Sequence, residues 1–177
     1  GNVVALRQSN VVRMLAYSGI AQAGFMLAPL AMAGHVGSTA ASAVMTYLII
    51  YAAMNLGAFA VVIAAARKTR SGEISSFGGL FQYAPGLTVL MTIFMFALAG
   101  IPPLAGWQAK FVAFRAVVDA GTGWAYALAA IMAINAVIGL AYYANVARQM
   151  WMQPIPEDQD RSPVRIPAAV AGALAIT

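Results

Sequence analysis

The sequence contains no cysteine. That excludes Cys-ligated iron–sulfur clusters, disulfides and thiol chemistry within this chain. One histidine and five carboxylates also argue against a protein metal site. Charge is scarcer still. Only 8% of the 177 residues are charged, while 62% are hydrophobic. A soluble domain carries roughly a quarter charged residues, so so few charges cannot cover a water-facing surface, and the solvent must be lipid. Segments of alternating hydrophobicity, the mark of a membrane barrel, are missing too. The apolar stretches run for about 20 residues or more. Helices are the remaining way to satisfy backbone groups in hydrocarbon. The fold class expected is an all-α, polytopic membrane bundle, with no soluble domain and no internal repeat.

Polar punctuation divides the chain into spans. Residues 1–6 read as the tail of a helix, followed by the turn Arg7-Gln8-Ser9-Asn10. Spans are expected over 14–33, 39–66, 83–119 and 124–151, with a fifth, truncated one over 165–177. The intervening loops are Gly34-His35-Val36-Gly37-Ser38, a basic loop from Arg67 to Gly79, the turn at 119–123, and a polar loop over 153–163. An indole stands near each end of the fourth span, Trp124 and Trp151, as interfacial belts favour. The chain opens Gly1-Asn2-Val3, without Met or a signal-peptide pattern, and stops within an apolar run, so it reads as a piece of a longer protein.

The net charge of +5 invites a nucleic-acid reading, but the placement of the charges points elsewhere. Eight of the ten Lys and Arg flank alternate loops: Arg7, Arg13, Arg67, Lys68, Arg70, Arg148, Arg161 and Arg165. The other two loops hold none. The positive-inside rule places the loops near 7–13, 67–80 and 152–165 in the cytoplasm. The basic balance is then topology, and no nucleic-acid partner is expected. Gly121-Thr122-Gly123 has the look of part of a phosphate loop but follows no strand, so it reads as a turn. His35 falls in a loop, and the ten methionines read as apolar filler.

The two remaining basic residues, Lys110 and Arg115, lie inside the third stretch. That stretch is too long for one straight crossing of about 20 residues. It contains Gly100-Ile101-Pro102-Pro103-Leu104-Ala105-Gly106. Adjacent prolines supply no N–H and clash with the preceding turn. Carbonyls near Leu98 and Ala99 should lose their helical partners. Two half-helices, 83–99 and 103–119, are therefore expected, with a break near Gly100, Pro102 and Pro103. Such backbone survives at membrane depth only when buried in protein or lining a hydrated cavity. Lys110 falls about 16 Å from the outer end of its half-helix, near the bilayer middle. Arg115 can snorkel outward or pair with Asp119 four residues on. An intramembrane lysine is a functional-site candidate by default, and its amine can load and release a proton as neighbouring charges change. The alternative is a structural lysine paired with a carboxylate on another helix.

Polar residues recur at helical spacing on the neighbouring spans. Tyr47, Tyr51 and Asn55 share one face of the second. Ser18 and Gln22 share one face of the first, with Tyr17 beside them, and Asn135 and Tyr142 stand seven apart on the fourth. Such groups can line a polar path that holds water or relays protons. They can equally serve as interhelical hydrogen bonds.

Two long motifs carry a family resemblance. The run Ala5-Leu6-Arg7-Gln8-Ser9-Asn10-Val11-Val12-Arg13-Met14-Leu15-Ala16-Tyr17-Ser18-Gly19-Ile20-Ala21-Gln22-Ala23-Gly24-Phe25 resembles the signature of the antiporter-like subunits of proton-pumping NADH–quinone oxidoreductase, respiratory complex I. The run Ala99-Gly100-Ile101-Pro102-Pro103-Leu104-Ala105-Gly106-Trp107-Gln108-Ala109-Lys110-Phe111 resembles that family's broken-helix motif, whose lysine transfers protons. Leu56-Gly57-Ala58-Phe59 and the Tyr47/Tyr51 pair fit the intervening helix. Within the family the wording is closest to the subunit N branch. The resemblance implies the C-terminal half of an antiporter-like fold, with Lys110 on its broken helix. It implies a proton-translocating subunit of the bacterial cytoplasmic (inner) membrane, in contact with lipid and with other membrane and peripheral subunits. No redox centre is implied in this chain; FMN, iron–sulfur clusters and quinone would belong to partner subunits. Homologous subunits of multisubunit sodium/proton antiporters or membrane-bound hydrogenases, and a purely structural anchoring subunit, are the alternatives. The sequence departs from the family at Gln22, where many members carry a histidine, and at Val12, often a lysine. Glutamine cannot titrate, though it can hold water.

Overall fold

The computed structural model describes residues 1–156. A short helical segment, α1 (Asn2–Ala5), leads through a turn into α2 (Val11–Ala31). Asn10 starts α2 as a side-chain cap, its Oδ1 accepting from the backbone N–H of Val12 at 3.0 Å and Arg13 at 3.2 Å. The same residue pairs with the basic loop. Val11 N–H donates to Gly72 O at 2.9 Å and Ile74 N–H to Ser9 O at 2.7 Å, making an isolated antiparallel bridge between Asn10 and Glu73.

Residues 34–38, expected as loop, instead include the helical turn α3 (Ala33–Val36), and Ser38 already opens the next helix. Gly37, with φ 57°, makes the reversal between them. The long α4 (Ser38–Thr69) follows. A 3₁₀ turn (Ile74–Phe77) and the single turn α5 (Leu80–Tyr83) follow, with Ile74, Phe77, Leu80 and Tyr83 buried. Tyr83, taken from sequence as the start of the third stretch, belongs to this turn. The stretch proper is α6 (Pro85–Ala99) and α7 (Ala105–Val118). Pro85 occupies the first helical turn, where its missing N–H costs nothing. Pro103 lies in the connecting turn, outside α7. Thr122 caps the final helix, α8 (Gly123–Met152), through Ala125 N–H at 3.1 Å. The expected span over 165–177, and the loop residues from 157 onward with Arg161 and Arg165, lie outside the described residues.

Helices α2, α4 and α8 are each long and apolar enough to cross a membrane, and the protein is a membrane protein. Large apolar side chains such as Ile49, Leu56, Ile131, Ile134 and Val137 point outward, which is tolerable only where the surroundings are apolar. The broken helix sits among the three long ones. One apolar cluster surrounds α6 and includes Met14, Val61, Met91, Met95, Leu98 and Tyr143. A second surrounds α7 and includes Phe25, Tyr47, Ala109, Ala113 and Met132. Small residues allow this close approach. A Cβ on Gly57 would collide with the Phe94 ring, and one on Gly106 would collide with the carbonyl of Ala97. The latter glycine is what lets α7 begin directly against the end of α6.

Candidate functional site

The end of α6 builds the site. Gly100 stands at φ 86°, ψ 42°, a conformation that costs an L side chain but not glycine. Its N–H turns back to Ala97 O at 2.9 Å, and Ile101 N–H reaches Phe96 O at 3.0 Å. This pair of bonds is the Schellman termination, and it takes up the carbonyls one turn back. The next two, Leu98 O and Ala99 O, would be left bare by the prolines that follow.

Lys110 takes both. Its Nζ donates to Leu98 O at 3.0 Å and to Ala99 O at 2.7 Å. The freed carbonyls expected from the sequence thus find an ammonium from the opposite half-helix. Five residues into α7, the lysine reaches back across the break to the C-terminal end of α6, where helix carbonyls concentrate negative partial charge. Its ammonium also lies over the Phe25 ring, 5.0 Å from the centroid. Gly100 makes room for the stem, since a Cβ there would stand 2.7 Å from Lys110 Cδ. Among the described residues no carboxylate pairs with Lys110. Lys110, Ala99, Gly100, Phe25, Phe111 and Met132 line part of a cavity of about 240 Å³. Arg115 sits nearer the helix end and pairs with Asp119 at 3.5 Å, both side chains exposed.

Gln22 shares a carbonyl with the lysine. Its Nε2 donates to Leu98 O at 3.1 Å and to Tyr143 Oη at 3.2 Å, while Tyr47 Oη–H donates to its Oε1 at 2.5 Å. Tyr143 and Ser18 are joined by a short hydroxyl–hydroxyl bond. All four side chains are buried: Gln22 3%, Ser18 1%, Tyr47 1% and Tyr143 0% exposed. Residues read from separate helices, Ser18 and Gln22 on α2 and Tyr47 on α4, are therefore brought together.

Tyr143 was not anticipated. The sequence reading followed Asn135 and Tyr142, seven apart, but adjacent residues on a helix point about 100° apart. The spacing of Gly139, Tyr143, Val146 and Met150, all buried, is the i, i+4, i+7, i+11 stripe that marks the inward face. Tyr142 and Asn135 belong to a second polar cluster built on Asn2, also unanticipated. Tyr142 Oη–H donates to Asn2 Oδ1 at 3.0 Å, and Asn2 Nδ2 donates to Asn135 O at 2.8 Å and Oδ1 at 3.1 Å. Tyr17, Tyr51 and Asn55 are not hydrogen-bonded to either cluster among the described residues; Tyr17 and Tyr51 pack against the apolar core. Nor is there, among the described residues, a group of three or more His, Asp and Glu that could hold a metal.

Comparisons with known proteins agree on one kind of relative. The family model described as "NADH:quinone oxidoreductase/Mrp antiporter, TM" matches residues 1–139. The chain is 41% identical over 179 residues to NADH-quinone oxidoreductase subunit N 1 of Koribacter versatilis, covering 100% of this chain and 34% of that protein. It is 41% identical over 172 residues to NADH-quinone oxidoreductase subunit N of Trichlorobacter lovleyi, covering 97% of this chain and 34% of the relative. It is 45% identical over 154 residues to subunit N 1 of Herpetosiphon aurantiacus, covering 86% and 30%. Among solved structures, it superposes on a chain of respiratory complex I from Thermus thermophilus, solved with bound aureothin, at a TM-score of 0.75 and 26% identity, covering 99% of this chain and 38% of that one. The chain thus spans about a third of the length of the curated relatives it matches.

Proposed function

Because this chain belongs to the NADH:quinone oxidoreductase/Mrp antiporter membrane family, we propose that it is part of a proton-translocating subunit of respiratory complex I, with Lys110 as its proton relay. NADH oxidation and quinone reduction would take place in other subunits, which hold the FMN, iron–sulfur clusters and quinone. Their free energy would drive protons through this one. The subunit sits in the bacterial cytoplasmic membrane, with the loops at 7–13, 67–80 and 152–165 facing the cytoplasm.

The observation that carries the reading is the hold of Lys110 on two main-chain carbonyls at a helix break. An ammonium has three N–H donors and a neutral amine two. Two donors suffice for Leu98 O and Ala99 O. The third proton of the charged form faces away from those carbonyls and can leave, with the lone pair it vacates ready to accept the next. The side chain can therefore change protonation state without releasing the backbone groups it satisfies. Carbonyls stabilise the charged form, and the apolar surroundings penalise it. Opposing effects of this kind leave an amine responsive to a nearby change of charge.

The test is NADH-driven proton uptake into vesicles bearing the assembled complex. Lys110→Met removes the titratable group and keeps an unbranched stem, and uptake should fall at least tenfold with assembly retained on native gels. Lys110→Arg should rescue poorly, since arginine stays protonated at any relevant pH. Parent-level uptake in an assembled Lys110→Met complex would refute the relay role and leave Lys110 as a structural clamp on the break. The Mrp antiporter wording of the family description is separated by the same assay, since an antiporter subunit would need no NADH.

A further inference from the structure

Two carbonyls at the helix break depend on Lys110, but not equally. Their helical partners would be the N–H groups of residues 102 and 103, and both are prolines. Ala99 O receives one donor, Lys110 Nζ at 2.7 Å. Leu98 O receives two, Lys110 Nζ at 3.0 Å and Gln22 Nε2 at 3.1 Å. A carbonyl oxygen has two lone pairs, so at Leu98 both are taken, and one of them by a group other than the lysine.

The difference counts when the lysine lets go. A relay amine must leave its resting partners to meet the next group, and the carbonyls behind it must not be left bare. A buried acceptor stripped of its only partner shifts an equilibrium by roughly tenfold to a hundredfold. Ala99, Phe25 and Lys110 line the same cavity of about 240 Å³. A water there can bridge Ala99 O and the withdrawn amine, and the Phe25 ring stays beside the charge. Leu98 is not among the residues lining that cavity and is 1% exposed. Water in the cavity does not serve its carbonyl, so a side chain must. Gln22 is placed to do so. It is buried, Tyr47 Oη–H holds its oxygen end, and its nitrogen end rests on Leu98 O.

We propose that Gln22 is a standby donor, which keeps Leu98 O satisfied while Lys110 withdraws into the cavity and competes for that carbonyl while Lys110 holds it. Lys110 then exchanges between the break and the cavity without stranding a buried acceptor. The inference rests on the relay reading of Lys110. Gln22 is a positioning residue: it acts on the lysine through Leu98 O and carries no proton itself. The role requires only an N–H at this place, which a histidine ring supplies as well as an amide.

The experiment follows Lys110 in the full assembled complex in membrane vesicles, with a membrane-permeant amine-reactive reagent and peptide mass spectrometry. The only other lysine of the chain, Lys68 at the end of α4, is the internal reference. An amine reacts only when it is unprotonated and away from its carbonyls. Gln22→Leu removes the standby N–H. Labelling of Lys110 relative to Lys68 should slow at least fivefold, and NADH-driven proton uptake should fall at least threefold with assembly retained. Gln22→His keeps an N–H and should return both to within twofold of the parent. A role in packing alone has the opposite sign, because a loosened bundle exposes Lys110 and speeds its labelling. Gln22→Met serves in place of the leucine variant if that assembles poorly. Labelling at or above the parent rate in the variant without the N–H overturns the proposal. So does slowed labelling with parent-level uptake, and so does a parent in which Lys110 stays unlabelled while Lys68 is fully modified. Pumping that survives Lys110→Met overturns the relay reading instead, and the labelling rates still decide whether Gln22 eases the lysine off the break.

Discussion

Replacing Gly100 by alanine tests the helix break and the lysine together. Two costs follow from the geometry. Gly100 has φ 86°, and an L side chain in the left-handed region costs about 1–2 kcal/mol. The new Cβ would stand 2.7 Å from Lys110 Cδ, well inside contact, so the stem must leave its rotamer at about 0.5–1.5 kcal/mol. Together these come to about 1.5–3.5 kcal/mol, or roughly 10- to 300-fold in an equilibrium constant. If the displaced ammonium lets go of Leu98 O or Ala99 O, each lost charged hydrogen bond adds about 1.5–3 kcal/mol. The assay is thermal dissociation of the complex on native gels, with NADH-driven proton uptake on the assembled fraction. Gly100→Ala should lower both. Gly100→Asn separates the terms, because asparagine tolerates the left-handed region but carries the same Cβ. It should assemble better than the alanine variant and still pump poorly. Gly34→Ala is the control: nothing lies within 4 Å of its added Cβ, and the residue sits in α3. Parent-level stability and pumping in Gly100→Ala would refute the argument that this glycine shapes the lysine site.

Other perturbations address the frame around the site. Cysteines at Ser38 and Thr122 should react with an impermeant thiol reagent from one side of the membrane and a cysteine at Arg70 from the other; labelling of all three from one side would sink the assigned topology. Asn10→Ala removes the α2 cap and the 3.4 Å contact with Glu73, and should cost about 1 kcal/mol, whereas Asn10→Asp should keep the cap; equal thermal stability of the alanine variant and the parent would count against it. Gly57→Ala drives a methyl into the Phe94 ring and should destabilise by about 1–3 kcal/mol. Trimming the ring in Gly57→Ala/Phe94→Leu should recover part of that loss, and additive losses in the double variant would show that the two residues do not press on each other.

Much of the architecture was legible because a bilayer imposes few solutions. Scarce charge and apolar stretches of helical length leave little but a helical bundle, and Pro102-Pro103 inside one stretch leaves little but a break. Lys110 stood out for the same reason, as a charge where charge is costly. Boundaries were less legible. The turn at Ala33–Val36 and the one ending at Tyr83 are single helical turns, too short to show a period.

Sequence by itself therefore determined the class of fold, the broken helix and the lysine beside it, since each follows from the chemistry of a residue in hydrocarbon. Only tertiary structure decided which groups meet. Local spacing gives the face a side chain shares on its own helix, but the rotation of one helix against another is set by packing at positions such as Gly57 against Phe94 and Gly106 against Ala97. That rotation brings the Tyr143 hydroxyl within hydrogen-bond reach of both Ser18 and Gln22. It also brings Gln22 and Lys110, from different helices, onto the single carbonyl of Leu98.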